Sequence, residues 1–139
     1  MNAPPIRRVL ETALYVDDMA RAVAFWRDVM GLRIMGGNDR LTPIDAGAGS
    51  VLLLFRRGAT LDGVAWPDGF IPPHDGTGPA HVAFAIDEDA YDAWRTRFAA
   101  LGMAVEAENR WSRGGRSLYV RDPDGHSVEL ATPGLWENY

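Results

Sequence analysis

Glu11-Thr-Ala-Leu-Tyr-Val-Asp-Asp18 begins the first half of the chain, and His81-Val-Ala-Phe-Ala-Ile-Asp-Glu88 begins the second. Bulky apolar side chains recur at every second position, Leu14 and Val16 in the first stretch and Val82, Phe84 and Ile86 in the second. This period is typical of a β-strand, and the acids at the end of each stretch can cap a helix. A repeat of this kind indicates that one structural unit has been duplicated. It also places Glu11 and His81, two side chains that can bind a metal, at matching positions of the two units.

The first unit continues with a helix and three short strands. Val23, Trp26 and Met30 recur at helical spacing, and Gly31 stands where a helix commonly ends in a left-handed residue. The strand patterns lie at 9–16 before the helix and at 32–35, 40–46 and 50–56 after it. The predicted order is therefore βαβββ.

The second unit repeats that order. A strand at 80–86 precedes a helix that carries Trp94 and Phe98 on one face and ends before Gly102. Strand patterns follow at 103–107, 116–121 and 126–131, and the Asp-Pro-Asp-Gly sequence at 122–125 predicts a tight turn between the last two.

The two units together predict an α+β fold. We expect two tandem βαβββ modules whose curved mixed sheets enclose a cavity, with one helix per module on the convex side. The whole chain, 1–139, is expected to form one domain, because it is too short for two independent cores. Its predicted parts are module 1 (about 7–57), a connection rich in Gly, Pro and Asp (about 58–78), module 2 (about 79–132) and a C-terminal tail (133–139).

The composition of the chain excludes several classes of function. The net charge of -5 argues against a nucleic-acid partner, which normally binds a basic face. The absence of cysteine excludes thiol nucleophiles, thiolate metal sites and disulfides, and the absence of lysine excludes Schiff-base chemistry. No apolar run approaches the roughly 20 residues of a membrane helix, so we expect a cytoplasmic protein with no membrane partner.

Three ligand-type side chains are predicted on one face of the sheets. In the strand at 80–86, the bulky residues alternate with small ones from residue 81 onward, so His81 points with the small residues toward the cavity. The same alternation places Glu11 and Glu129 on that side of their own strands. Buried carboxylates are costly unless they are paired or bind a metal, so this coincidence predicts a metal site formed by Glu11, His81 and Glu129.

The chain resembles the vicinal oxygen chelate superfamily over nearly its whole length. The resemblance is strongest in Ala20-Arg-Ala-Val-Ala-Phe-Trp-Arg-Asp-Val-Met-Gly31 and in Arg116-Ser-Leu-Tyr-Val-Arg-Asp-Pro-Asp-Gly-His-Ser-Val-Glu-Leu130. This superfamily contains glyoxalase I, fosfomycin resistance thiol transferases, bleomycin resistance proteins, extradiol dioxygenases and methylmalonyl-CoA epimerases. These stretches are specific for the fold, whereas the reaction varies among members.

The resemblance implies a ligand set and one departure from it. Glu11 stands where the family usually has His, and His81 and Glu129 match the ligands of the second module. The fourth ligand of glyoxalase I, a Glu implicated in proton transfer, aligns with Leu53. The three remaining ligands are hard donors, which favour one divalent ion among Mn, Mg, Fe, Ni and Zn and leave positions open for a chelating substrate.

Several residues near the predicted metal are candidates for substrate binding. The resemblance implies that Tyr119 contacts substrate, and strand alternation places Ser117 on the same polar face. An exposed edge face of that strand is the alternative interpretation. The loop at 109–116 joins Trp111, Arg113 and Arg116, whose guanidinium groups could clamp a carboxylate or phosphate. For that segment, a solvated hairpin loop is the interpretation that the notably polar sequence favours over such a clamp.

These observations lead to one main hypothesis and two alternatives. The main one is a divalent-metal enzyme of lyase, isomerase or thiol transferase type, acting on a small oxygen-chelating substrate such as an anion or a thiol adduct. The alternatives are a metal-free binding protein of the bleomycin resistance type, with Trp66, Trp111 and Trp136 as candidate stacking residues, and an extradiol dioxygenase. Because family members commonly pair, a homodimer is also expected.

Overall fold

The computed structural model describes residues 2–139 and confirms the α+β class. None of the helices in that range has the length and apolarity to cross a membrane. The elements in chain order are β1 (Glu11–Val16), α1 (Met19–Ala24) continuing into a π-helical segment (Phe25–Val29), β2 (Leu41–Gly47), β3 (Ser50–Arg56), β4 (Val64–Trp66), β5 (Gly69–Ile71), β6 (His81–Ala85), a 3₁₀ turn (Glu88–Ala90), α2 (Tyr91–Ala100), β7 (Ala107–Arg110), β8 (Arg116–Arg121) and β9 (Ser127–Ala131).

The sheets of the two halves share one pairing scheme. In the first sheet, β1 pairs in parallel with β3, which pairs antiparallel with β2; in the second, β6 pairs in parallel with β9, followed by β8 and β7. Ala13 stands opposite Leu53 in the first sheet, and Ala83 stands opposite Glu129 in the second. Leu53 and Glu129 therefore occupy equivalent positions, as the alignment of the two halves predicts.

Helix α1 links the two halves of the core. The side chain of Asp18 caps it by accepting the N–H of Arg21 at 3.0 Å, and Gly31, at φ 72°, follows its end. Trp26 is fully buried, and its ring lies 5.7 Å from that of Phe84 on β6. Arg97 of α2 donates to two carbonyls at the end of the π-helical segment. One buried cluster consequently contains residues of both modules.

The predicted tight turn before β9 is built around a buried carboxylate. Asp122 accepts the backbone N–H groups of Asp124 at 3.1 Å and of His126 at 2.8 Å, and it pairs with Nδ1 of His126 at 2.7 Å. The side chains of Asp122 and His126 are almost completely buried. Asp124 in turn accepts the N–H of Asp17 at 2.9 Å, so the turn also fastens module 2 to the end of β1.

Some strand boundaries differ from the predictions. The segment at 32–35 forms only one bridge, between Ile34 and Ile44, because Gly36 and Gly37 adopt φ values of 112° and 113° that turn the chain away. β1 begins at Glu11 rather than at residue 9. The strand expected at 103–107 begins only at Ala107, and Met103 and Val105 before it pack against the core.

The connection between the modules has structure of its own. It contains the β4–β5 hairpin, and its later part is fastened to module 1. The hydroxyl of Tyr15 lies 2.6 Å from Nδ1 of His74, Arg57 donates to the carbonyl of Gly76 at 3.1 Å, and Thr60 hydrogen-bonds the backbone of His74. The connection thus lies against one side of the first sheet.

Candidate metal centre

Strands β6 and β9 bring two of the predicted ligands together. His81 stands opposite Ser127 and Ala83 stands opposite Glu129, so the imidazole and the carboxylate emerge from neighbouring strands on one face. Nε2 of His81 lies 3.2 Å from Oε1 of Glu129. Glu129 is only 4% exposed, whereas His81 is half-exposed on the edge strand, so the pair forms the floor of a site that opens to solvent.

A hydrogen bond to the neighbouring strand fixes the orientation of the His81 ring. Its Nδ1 lies 3.0 Å from the carbonyl oxygen of Ser127, which can only accept a hydrogen bond, so Nδ1 carries the proton. In the neutral imidazole, this hydrogen bond leaves the lone pair of Nε2 facing Oε1 of Glu129. Two acceptor atoms 3.2 Å apart repel each other unless a proton or a cation lies between or beside them. The donor pair and its backing hydrogen bond therefore fit a divalent metal ion.

A second hydrogen-bond chain reaches the other oxygen of Glu129. The hydroxyl of Ser117 donates to Oε2 of Glu129 at 2.5 Å, and the indole N–H of Trp111 donates to Oγ of Ser117 at 2.8 Å. Ser117 is fully buried, and Trp111 is partly buried. The two oxygens of the carboxylate thus have different environments, one toward His81 and one toward Ser117.

Tyr119 lies beside the same pair. Its ring is stacked on that of His81, with 6.3 Å between centroids and 29° between planes. Burial, assisted by the negative charge of Glu129, raises the pKa of the Tyr119 hydroxyl, while a hydrogen bond with Asn109 opposes the rise. The phenol therefore stays protonated at neutral pH and can donate a hydrogen bond at the site.

Glu11 lies apart from this pair. It is exposed at the start of β1, and together with His81 it lines an open cleft of about 690 Å³ whose walls are mostly apolar. Within residues 2–139, no three His, Cys, Asp or Glu side chains lie close enough to share one ion. The structure thus brings two of the three predicted ligands together in one chain.

The predicted arginine clamp does not assemble at the site. Arg113 is exposed in the turn after β7. Arg116 stacks over the ring of Tyr91 at 4.1 Å and pairs with Glu88 at 3.1 Å. The reason is strand alternation: Arg116 shares the helix-facing side of β8 with Leu118, whereas the residues between and beyond them face the metal ligands.

Two contributors to the site were not predicted from the sequence. Asn109 stands opposite Ser117 across the β7–β8 pair and interacts with Tyr119. The carbonyl of Ser127 orients His81. Alternation along 107–110 would have placed Asn109 on the metal face if β7 had been predicted to extend that far, but a backbone carbonyl has no signal in the sequence.

Comparison with known proteins gives a family match over most of the chain. Residues 8–130 match the model of the Glyoxalase/Bleomycin resistance protein/Dioxygenase superfamily. The crystal structure of a lactoylglutathione lyase from Agrobacterium tumefaciens is 39% identical, covers 96% of this chain and 99% of its own, and superposes with a TM-score of 0.86.

Two further relatives match this chain over most of its length. A probable lactoylglutathione lyase from Vibrio cholerae is 30% identical over 129 residues, covering 88% of each chain. The glutathione transferase FosA from Serratia marcescens is 26% identical over 122 residues, which cover 88% of this chain and 78% of that protein.

Proposed function

The chain belongs to the glyoxalase, bleomycin resistance protein and dioxygenase superfamily, and on that premise we propose that it is a divalent-metal-dependent enzyme acting on a small oxygen-chelating substrate. Its relatives include lyases and thiol transferases, so the chain is an enzyme of the glyoxalase-like class. The observation that carries the proposal is the His81–Glu129 pair, in which Nδ1 is committed to the Ser127 carbonyl and Nε2 is left to bind a metal.

We propose Glu11, His81 and Glu129 as the metal ligands. Two carboxylates would balance the charge of a divalent ion, and the hard donor set is compatible with Mn, Mg, Fe, Ni or Zn. Such an ion, when bound, supplies Lewis-acid polarisation of a substrate oxygen. The protonated hydroxyl of Tyr119 would hydrogen-bond that substrate, and the small side chains of Ala83 and Ala85 leave room for it.

Within this class, thiol transfer is the reaction that the residues favour. An isomerase or lyase that moves a proton along its substrate needs a second base near the metal, and the position equivalent to Glu129 in module 1 is Leu53. Addition of an external thiol forms a C–S bond as a C–O bond of the polarised substrate breaks, and the thiol proton ends on the released oxygen. This reaction needs no base that moves a proton from one substrate carbon to another. Lyase activity is the second candidate, because the lactoylglutathione lyase from Agrobacterium tumefaciens is 39% identical over nearly the full chain.

Metal binding is the first test of the proposal. Protein purified without chelators is analysed for metal content, and its thermal stability is measured with each of the five ions added. We expect stabilisation by at least one ion, and loss of that stabilisation in His81→Ala and Glu129→Gln. Glu137→Gln, on the exposed C-terminal tail, is the matched control. A wild-type protein that holds no metal and gains no stability from any ion would refute the proposal.

The two candidate reactions are separated by their substrates. Metal-loaded protein is offered glutathione with fosfomycin while thiol consumption is followed, and in a parallel assay it is offered glutathione with methylglyoxal while formation of lactoylglutathione is followed. Thiol consumption with fosfomycin that disappears in Glu129→Gln supports transfer, whereas formation of lactoylglutathione without reaction of fosfomycin supports the lyase.

We also propose that the active species is a homodimer whose metal site is shared. Strands β1 and β6 each lie at the edge of a sheet, and Glu11 does not join His81 and Glu129 within one chain. Glu11 of a second copy would then complete the ligand set. Mixing Glu11→Ala with Glu129→Ala protein and allowing subunits to exchange should restore metal binding in mixed dimers. A protein that is monomeric at micromolar concentration would contradict a shared site. Mixtures that still bind no metal after subunit exchange has been demonstrated would contradict it as well.

A further inference from the structure

The hydrogen bonds behind Glu129 form a chain with a fixed direction. The indole N–H of Trp111 can only donate, so Oγ of Ser117 must accept at their 2.8 Å contact. The hydroxyl of Ser117 carries a single proton, and the carboxylate oxygen Oε2 of Glu129 lies 2.5 Å away to receive it. With one lone pair engaged by the indole, the hydroxyl is held in the rotamer that points its proton at Glu129.

Trp111 is itself held by a tight turn. The backbone N–H of Trp111 donates to the carbonyl of Gly115 at 2.8 Å, and the backbone carbonyl of Trp111 accepts the N–H of Gly114 at 2.9 Å. Gly115 is pressed against the C-terminal tail: its N–H donates to the carbonyl of Gly134 at 3.0 Å, and a Cβ at Gly115 would lie only 2.7 Å from the carbonyl carbon of Gly134. The indole is therefore presented to Ser117 by backbone contacts, independently of any substrate.

The two oxygens of the Glu129 carboxylate have different partners. Oε2 accepts the hydroxyl proton of Ser117, and Oε1 faces Nε2 of His81. We propose that Trp111, acting through Ser117, is a positioning residue that fixes Glu129 as a one-oxygen metal ligand. The inference rests on the proposed metal-dependent function, and it gives Trp111 a different role from the substrate stacking considered from the sequence.

The affinity of the protein for Mn²⁺ tests the inference. Titration calorimetry is carried out on the wild type, on Trp111→Phe and Ser117→Ala, and on the double variant, with Trp136→Phe as control because Trp136 is 67% exposed. Outer-shell partners of a ligand typically contribute about 10- to 100-fold to metal affinity. We expect Ser117→Ala to weaken Mn²⁺ binding by roughly tenfold or more, Trp111→Phe by about three- to tenfold, and Trp136→Phe by less than twofold.

The double variant distinguishes positioning from a general loss of structure. If Trp111 acts only through Ser117, adding Trp111→Phe to Ser117→Ala should cause no further loss of affinity. Equal affinities of Trp111→Phe and wild type, or fully additive losses in the double variant, would overturn the inference while leaving the metal site intact. Absence of Mn²⁺ binding in the wild type would instead refute the metal proposal and this inference with it.

Carboxylate infrared spectra of the Mn²⁺-loaded protein give an independent measurement. One-oxygen coordination separates the symmetric and antisymmetric stretching bands more widely than two-oxygen coordination does. We expect the wild type to show the wide separation and Ser117→Ala to show a narrower one, because Oε2 is then free to approach the ion. An unchanged separation would overturn the assignment of Oε1 as the sole ligand atom.

Discussion

Tyr91 should make the stability of this protein fall at alkaline pH. Its side chain is 3% exposed, and its hydroxyl donates to Oε1 of Glu108 at 2.8 Å and lies 3.2 Å from the carbonyl of Ser117. Burial, together with the hydrogen bond and the charge of Glu108, raises the pKa of Tyr91 to about 12. In the unfolded chain the same phenol has a pKa of 10.0.

The pKa difference fixes the sign and size of the effect. The folded state holds the proton of Tyr91 more tightly than the unfolded state does. The contribution of the protonated hydroxyl to the free energy of unfolding is therefore complete below pH 10 and is lost as the pH rises toward 12. A difference of about two in pKa corresponds to roughly 2.7 kcal/mol in total and to about 1.4 kcal/mol by pH 11. The variant Tyr91→Phe cannot lose this contribution, because it has no proton to release.

Urea unfolding of the wild type and of Tyr91→Phe at pH 8, 9.5 and 11 measures the effect. At pH 8 the wild type should be more stable by about 1 to 2 kcal/mol, the value of a buried hydrogen bond to a charged group. By pH 11 that advantage should have nearly vanished. Burial also raises the pKa values of Tyr15, Tyr119 and Tyr139, but both proteins share these residues. A free-energy difference that stays constant from pH 8 to pH 11 would refute the reasoning.

Two further predictions concern the backbone around the site. Asp122→Ala removes the acceptor of three hydrogen bonds and leaves His126 buried without its partner, so the free energy of unfolding should fall by about 3 to 5 kcal/mol and Tm by roughly 10 to 15 °C, measured by circular dichroism. A fall in Tm below 3 °C would contradict this. In Gly134→Ala, the added methyl group would lie 2.5 Å from the backbone nitrogen of Gly115, and residue 134 has a φ of 101°. The free energy of unfolding should therefore fall by about 1 to 3 kcal/mol, and the emission maximum of Trp111 should shift. An unchanged emission maximum would show that the C-terminal tail does not determine the position of the indole.

Alternation and duplication together made much of the fold predictable. The two βαβββ halves, the helix ends at Gly31 and Gly102 and the turn at 122–125 follow from side-chain period and turn residues, which act locally. The composition of the connection predicts only a loop and does not reveal the β4–β5 hairpin, although Pro67 and Asp68 at its tip are typical turn residues.

The site was predictable as far as strand faces could be read. Alternation predicts His81 and Glu129 on the cavity side, and it predicts Ser117 and Tyr119 on one polar face of their own strand. The structure brings these four side chains together. Arg116 shows the limit of this reasoning. The clamp hypothesis takes it with the loop at 109–116, although it lies at the start of β8, where alternation assigns it to the opposite face. The relation of Glu11 to the pair depends on how whole modules meet, which periodicity within a strand does not encode.

The equivalence of Leu53 and Glu129 has a consequence for how such a protein diversifies. Both residues stand opposite a small alanine on the neighbouring parallel strand, so the backbone offers the same place to an acid in each half. Glu129 occupies this place in module 2, and Leu53 occupies it in module 1. A single substitution at this position would add or remove a proton carrier, so the reaction can change while the fold is retained.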